Sequence, residues 1–356
     1  MLTTSRVAAA IRRALLLLLV LLFAGLAPSV PGYHPHPAHA AGPGPEPLEL
    51  VPDAVRQPPD LTPPTALHTR RDPVAFRDAS ARHRNPPAIS TSGGILVDID
   101  TNQVLWAFAP HARRAPASLT KIVAGYVALE NLPPDRAVLV QPQATAVGIE
   151  ETRMGLVAGE QLTVRELLSG MFTVSANDAA LALAYGTTGM TDYVAAMNQQ
   201  VTALGLVDSH FSGPVGYPDD PELISSAYDL AAIATSEYRS FPLFRELTAS
   251  HDVLIPKNAT HQEYKLHNIN RMLEIYPPAV GTKSGFTDIA GPCLVSMAVR
   301  DNHHLVAVLL NSQHMFDQSR ALLEWGFTQE GLVALYPPPP SPPATPAPVP
   351  ARPGPR

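Results

Sequence analysis

The sequence predicts an α+β domain, an antiparallel sheet covered by helices. Three observations carry this. Apolar runs of strand length stand at both ends of a stretch from about Ile89 to Leu335. Helical periodicity fills its middle. Two pairs of runs are joined by turns so short that only hairpins fit, which makes the sheet antiparallel. With strands at both ends, the two ends of this stretch must meet in one sheet.

The elements follow in order. Ile95 to Ile99 and Val104 to Phe108 flank the polar turn Asp100-Thr101-Asn102-Gln103, a hairpin signal. Pro116 and Ala117 lead into a helix expected from Ser118 to about Glu130. Thr163 and Glu166 have capping-box spacing ahead of Leu167 and Leu168. A helix begins near Asn177 or Asp178 and carries Ala180, Leu181, Leu183 and Ala184. The next runs from about Thr191 to Leu204 and stops at Gly205. Another covers about Ser226 to Tyr238. Strands return at Thr282 to Thr287, Leu294 to Val299 and Leu305 to Leu310, the last two turning through Asp301 and Asn302. A helix from Phe316 to Phe327 closes the domain.

The flanks are different in kind. Of 356 residues 39 are proline, concentrated at the two ends. Arg6, Arg12 and Arg13 precede an uncharged run from Ala14 to Ala27, and Ala38-His39-Ala40 is a small-x-small site. Residues 1–40 read as a signal peptide or N-terminal anchor. Residues 41–88 read as a Pro-rich disordered linker and 336–356 as a Pro-rich disordered tail. The folded domain is expected over 89–335, on the outer side of the cytoplasmic membrane. A net charge of −6 excludes the electrostatic footprint of a nucleic-acid binder. One cysteine, Cys293, excludes a disulfide framework; it reads as a small core residue or as a thiol near the site.

Three short motifs carry chemistry. In Ser118-Leu119-Thr120-Lys121 a hydroxyl and an amine share one helix face. Serine is a poor nucleophile until a base takes its proton, and lysine is a base only when its pKa is lowered. Alone the pattern is weak, since on the order of one Ser-x-x-Lys arises by chance in a chain this long. Ser175-Ala176-Asn177 is either a plain helix cap or a relay hydroxyl followed by an amide clamp. Lys283-Ser284-Gly285 is either an ordinary edge strand with a surface lysine or a strand that pairs with an extended substrate. In the second case Lys283 and Ser284 attract a carboxylate and Gly285 clears a path for the substrate backbone. The N–H of Phe286 would form an oxyanion hole with that of Ser118.

Together, in this order, the motifs resemble those of the serine D-alanyl-D-alanine carboxypeptidases, the low-molecular-mass penicillin-binding proteins. The likeness extends to Pro116 to Ile122, Ser175 to Ala180, Met197-Asn198, Ser226 to Leu230, Gly281 to Thr287 and Leu322 to Phe327. It departs in having Ser284 where threonine is commoner, and in ending on a Pro-rich tail where many relatives carry a β-domain and a membrane anchor.

The resemblance implies a β-lactamase/transpeptidase-like fold with a five-stranded antiparallel sheet flanked by helices. It implies an exported bacterial hydrolase that removes the terminal D-alanine of peptidoglycan stem peptides, with no cofactor and no metal. The implied roles are Ser118 as nucleophile, Lys121 as base and Ser175 as proton relay in contact with Lys121 and Lys283. Asn177, Lys283, Ser284, Gly285 and Phe286 would bind substrate, and β-lactams would acylate Ser118. Membrane attachment would run only through an uncleaved N-terminal segment. Alternatives are an endopeptidase acting on cross-links, a serine β-lactamase using Glu222, and a non-catalytic wall-binding protein. Glu150 and Glu151 read as a solvated loop pair.

Overall fold

The computed structural model describes residues 48–49, 73–148, 150–217 and 220–336. The N-terminal apolar run, the small-x-small site and the tail from residue 337 lie outside the described residues.

A two-residue strand β1 (Leu48–Glu49) and a second, β2 (Arg77–Asp78), precede the hairpin β3 (Gly93–Asp98) and β4 (Gln103–Phe108). A 3-10 turn over Ala117–Leu119 leads into α1 (Thr120–Asn131). Then come β5 (Ala137–Leu139), β6 (Gln161–Thr163), α2 (Val164–Thr173), α3 (Asn177–Tyr185), α4 (Met190–Ala203), α5 (Ala227–Ser240) and α6 (Pro242–Ala249). The chain finishes with β7 (Asp252–Ile255), β8 (Tyr264–His267), α7 (Met272–Ile275), β9 (Ala279–Thr287), β10 (Gly291–Arg300), β11 (His303–Leu310) and α8 (Met315–Gln329).

The main sheet has the order β2-β4-β3-β11-β10-β9. The five expected strands are all in it and all antiparallel. The two ends of the domain meet as expected, with Leu96 opposite Ala307. The strand count is corrected to six, because β2 adds a short parallel pairing, Arg77 opposite Gln103. That strand lies inside the stretch read as linker. Residues 73–88 therefore belong in part to the folded body: Phe76 packs edge-on against Tyr228, and its N–H donates to the Tyr228 hydroxyl. At the other end Tyr336 packs on Tyr276, so the body reaches one residue beyond Leu335.

The central strands are buried on both faces, which is why they read as continuous apolar runs. Ile95, Val97, Val306 and Val308 face one core with α1 and α5. Leu96, Leu305, Ala307 and Leu309 face a second with Leu322, Leu323 and Phe327 of α8. Helix α1 is buried from Thr120 through Ala128, apolar almost all round, as a helix inside a core must be. The predicted capping box is present: Thr163 Oγ1 accepts from Glu166 N–H, and Glu166 accepts from Thr163 N–H. Ser226 caps α5 by accepting from Asp229 N–H. Strands β5 and β6, the hairpin β7–β8 and helix α6 were not anticipated; the strands are only three or four residues long.

Candidate active site

The first motif lies where the 3-10 turn passes into α1. Ser118 thus sits in the turn before the α-helix, a shift from the expected helical position. The i, i+3 geometry survives because side chains three apart eclipse in a 3-10 turn. Lys121 Nζ donates to Ser118 Oγ at 3.0 Å. Ala117, just before the nucleophile position, is held at φ +50°. Ser175 is held at φ +60°. Apart from Asn and Asp, only Ala109 shares that left-handed conformation among the described non-glycine residues. Such strain persists where surrounding structure over-determines it, and it gathers at functional sites.

The second motif does not cap α3. The N-cap is Ala176, and no side chain bonds there. Asn177 turns inward instead: its Oδ1 accepts from Lys121 Nζ at 2.6 Å, and its Nδ2 donates to Glu151 Oε2 at 2.6 Å. Ser175 is buried, and its carbonyl accepts from Thr152 Oγ1. The expected contact of the Ser175 hydroxyl with both lysines is not made. Lys121 is engaged with Ser118 and Asn177, and Lys283 Nζ donates to the carbonyl of Ser284 at 2.6 Å.

The third motif lies on β9, an edge of the main sheet, so one side of its backbone is open to pairing. Lys283 is no surface lysine; it is 1% exposed. Ser284 is buried beside it, while the Phe286 side chain is 62% exposed. Gly285 has a packing reason of its own. A Cβ there would lie 2.9 Å from Ser118 N and 3.3 Å from Leu119 N. The missing side chain lets the strand close on the turn that carries Ser118.

Electrostatics suit proton transfer. Burial holds the Lys121 amine down at about 7, against a partial upward pull from Glu151 and Asp178. Lys283 lies well below the ordinary lysine range, first through burial and then through the charge of Lys121. The buried Lys121 thus disfavours the proton of Lys283, while burial alone brings Lys121 down to where a base is available near neutral pH.

Glu151 belongs to this network, which corrects its reading as half of a solvated pair; Glu150 alone is exposed. Asp178 was also missed. Its buried carboxylate accepts from the N–H groups of Met154, Gly155 and Leu156, pinning the loop that carries Glu151. A capping-type Asp at a helix start was the only available signal, and it did not say which loop it would hold. Glu222 is exposed. Cys293 is fully buried and burial pushes its thiol up to about 11, so it is a core residue.

The family described as D-alanyl-D-alanine carboxypeptidase (peptidase S11) matches residues 80–314. The chain is similar to the D-alanyl-D-alanine carboxypeptidase DacD of Salmonella typhimurium, 35% identical over 275 residues, 73% of this chain and 68% of that one. It is similar to DacB2 of Mycobacterium tuberculosis, a D-alanyl-D-alanine carboxypeptidase, 32% identical over 241 residues, 65% of this chain and 81% of that one. Among solved structures, the Streptomyces K15 DD-transpeptidase matches with TM-score 0.64 at 27% identity, covering 69% of this chain and 100% of its own. A D-alanyl-D-alanine carboxypeptidase structure from Mycobacterium tuberculosis matches with TM-score 0.65 at 30% identity, covering 70% of this chain and 95% of its own. The likeness thus spans most of the folded body and agrees in sequence and in fold, and the chain belongs to the serine-type D-alanyl-D-alanine carboxypeptidases.

Proposed function

We propose that this carboxypeptidase cleaves the terminal D-Ala-D-Ala bond of peptidoglycan stem peptides through an acyl-serine on Ser118. One observation carries the reading: a fully buried Lys121 amine, held near neutral pKa, lies 3.0 Å from Ser118 Oγ. Lys121 takes the Ser118 proton as Oγ attacks the penultimate carbonyl. The C–N bond then breaks: Ser175 turns its hydroxyl to the departing D-alanine amine, gives it a proton and takes the Ser118-derived proton back from Lys121, which is neutral again. Water attacks the ester, its proton passes to Lys121, and Ser118 regains its own. Lys283 and Ser284 attract the substrate carboxylate, Asn177 holds a backbone amide, and the N–H groups of Ser118 and Phe286 receive the oxyanion. The substrate lies along the open edge of β9 as an added strand. β-Lactams, which mimic the scissile amide, acylate Ser118.

Residues 1–40 export the chain and hold it at the membrane where they are not cleaved. Among the described residues no helix is long and apolar enough to cross a membrane.

The test uses the full chain and Ser118→Ala with a peptide ending in Lys-D-Ala-D-Ala and a fluorescent penicillin. The expected result is D-alanine release and a long-lived penicillin adduct in the wild type only. Because Lys121 must be neutral, the acylation rate should rise with pH through about 7. An adduct surviving in Ser118→Ala would overturn the reading. Cleavage of cross-linked dimers in preference to the linear peptide would turn it to an endopeptidase.

A further inference from the structure

We propose that Glu151 is a positioning residue for the base: its carboxylate fixes which end of the Asn177 amide faces Lys121. The inference deepens the assignment of Ser118 and Lys121 above and rests on it.

The half-buried carboxylate is held at both oxygens. Glu151 Oε1 accepts from Gly148 N–H at 3.1 Å, Oε2 accepts from Asn177 Nδ2 at 2.6 Å, and Tyr217 lies close enough for the carboxylate, after burial, to push its phenol pKa up. Its loop is laced to the second motif. Thr152 Oγ1 donates to the Ser175 carbonyl, Asn177 N–H donates to the Thr152 carbonyl, and Asp178 takes the N–H groups of Met154, Gly155 and Leu156. Glu151 is thus carried on a scaffold as fixed as Asn177 itself.

An amide has a donor end and an acceptor end, whereas a carboxylate only accepts. Glu151 therefore admits only Nδ2, and Oδ1 must face Lys121. Without it a neutral Lys121 amine can accept, and the amide is free to turn. With it, an acceptor waits for the proton that Lys121 takes from Ser118. The second Nδ2 hydrogen stays available to a substrate carbonyl. The charged and titratable groups around Lys121 are Glu151 and Asp178, which favour its ammonium form, and Lys283, whose own proton the Lys121 charge disfavours.

The experiment measures second-order acylation of the full chain by a fluorescent penicillin from pH 5 to 9, for wild type, Glu151→Gln, Glu151→Ala and Glu151→Asp. Loss of the negative charge lowers the Lys121 pKa, so the acid limb in Glu151→Gln should move down by about half to one pH unit. Its plateau should fall about tenfold, because the ammonium is less stabilised. Glu151→Ala, which frees the amide as well, should fall further, and Glu151→Asp should keep the limb and regain part of the plateau. A limb that stays put with a Glu151→Gln plateau within twofold of wild type overturns the inference. Equal losses in Gln and Ala variants with an unmoved limb also overturn it, since that pattern marks a merely structural role. Ser118→Ala runs in parallel. Loss of its adduct isolates a failure to Glu151, and persistence of the adduct overturns the Ser118 reading together with this one.

Discussion

At Gly285 the absence of one carbon decides whether two motifs meet. Its Cα faces backbone atoms of Ser118 and Leu119, which have no flexible end to swing aside. Gly285→Ala should therefore fold, with a loss of about 1–3 kcal/mol for the overpacked contact. Its penicillin acylation should drop about 100-fold, because the nucleophile is displaced by a fraction of an ångström to an ångström. Melting curves and labelling rates measured on the same sample would check this; unchanged labelling would mean the turn absorbs the clash. Ser118, Lys121, Asn177 and Lys283 were each legible as residue types at set spacings. Glu151 was not, because its importance comes from Asn177, 26 positions away. A pair of adjacent glutamates in a polar stretch carries no local signal that separates a solvated side chain from a buried network.

At the scale of the element, the long helices and the strands of the central sheet were readable because their periodicity persists over several turns or pairs. The Thr163–Glu166 box shows how a local pattern reports a local bond, reciprocal and within one turn. Thr163→Ala should cost about 1 kcal/mol of stability, measurable as a lower urea midpoint with unchanged slope. A shallower slope would mean instead that α2 unfolds separately. Strands β5 to β8 escaped because three or four residues span too little to show alternation, and their pairing depends on partners such as Val253 with Leu266. The 3-10 start of α1 escaped as well. The sequence marks a helix beginning near Ala117, but the left-handed Ala117 that aims Ser118 is imposed by neighbours. One of these is Gly216, where a Cβ would collide with the Ala117 backbone.

Across the whole molecule the core holds one conspicuous burden. Glu237 on α5 is fully buried, and neither carboxylate oxygen has a hydrogen-bond partner among the described residues. Burial raises its pKa well above 4.5, so the folded protein keeps a proton that the unfolded chain releases. The contribution of Glu237 to stability then falls as pH rises above about 4.5, since at this group the native state binds more protons than the unfolded one. Glu237→Gln keeps the shape and removes the ionisable proton. It should flatten that decline and raise stability by about 1–3 kcal/mol at pH 8, with little change near pH 4.5. Equal pH slopes in the two proteins, from denaturant curves at pH 5 and 8, would refute this. Folding also has to join the ends of the domain, because β3 pairs with β11 across more than 200 intervening positions.

The sequence by itself determined the fold class, the long elements and the residue types of three motifs. Those properties depend on periodicity, turn chemistry and spacing, all of which lie within a few neighbouring residues. Tertiary structure alone decided that both lysines are buried, that Lys121 lies between Ser118 and Asn177, and that Glu151 stands behind Asn177. It also decided that the segment around Arg77 joins the sheet. The physical reason is the same in each case. A pKa, an amide's orientation and a two-residue strand depend on what long-range packing brings alongside, and that partner is written elsewhere in the chain.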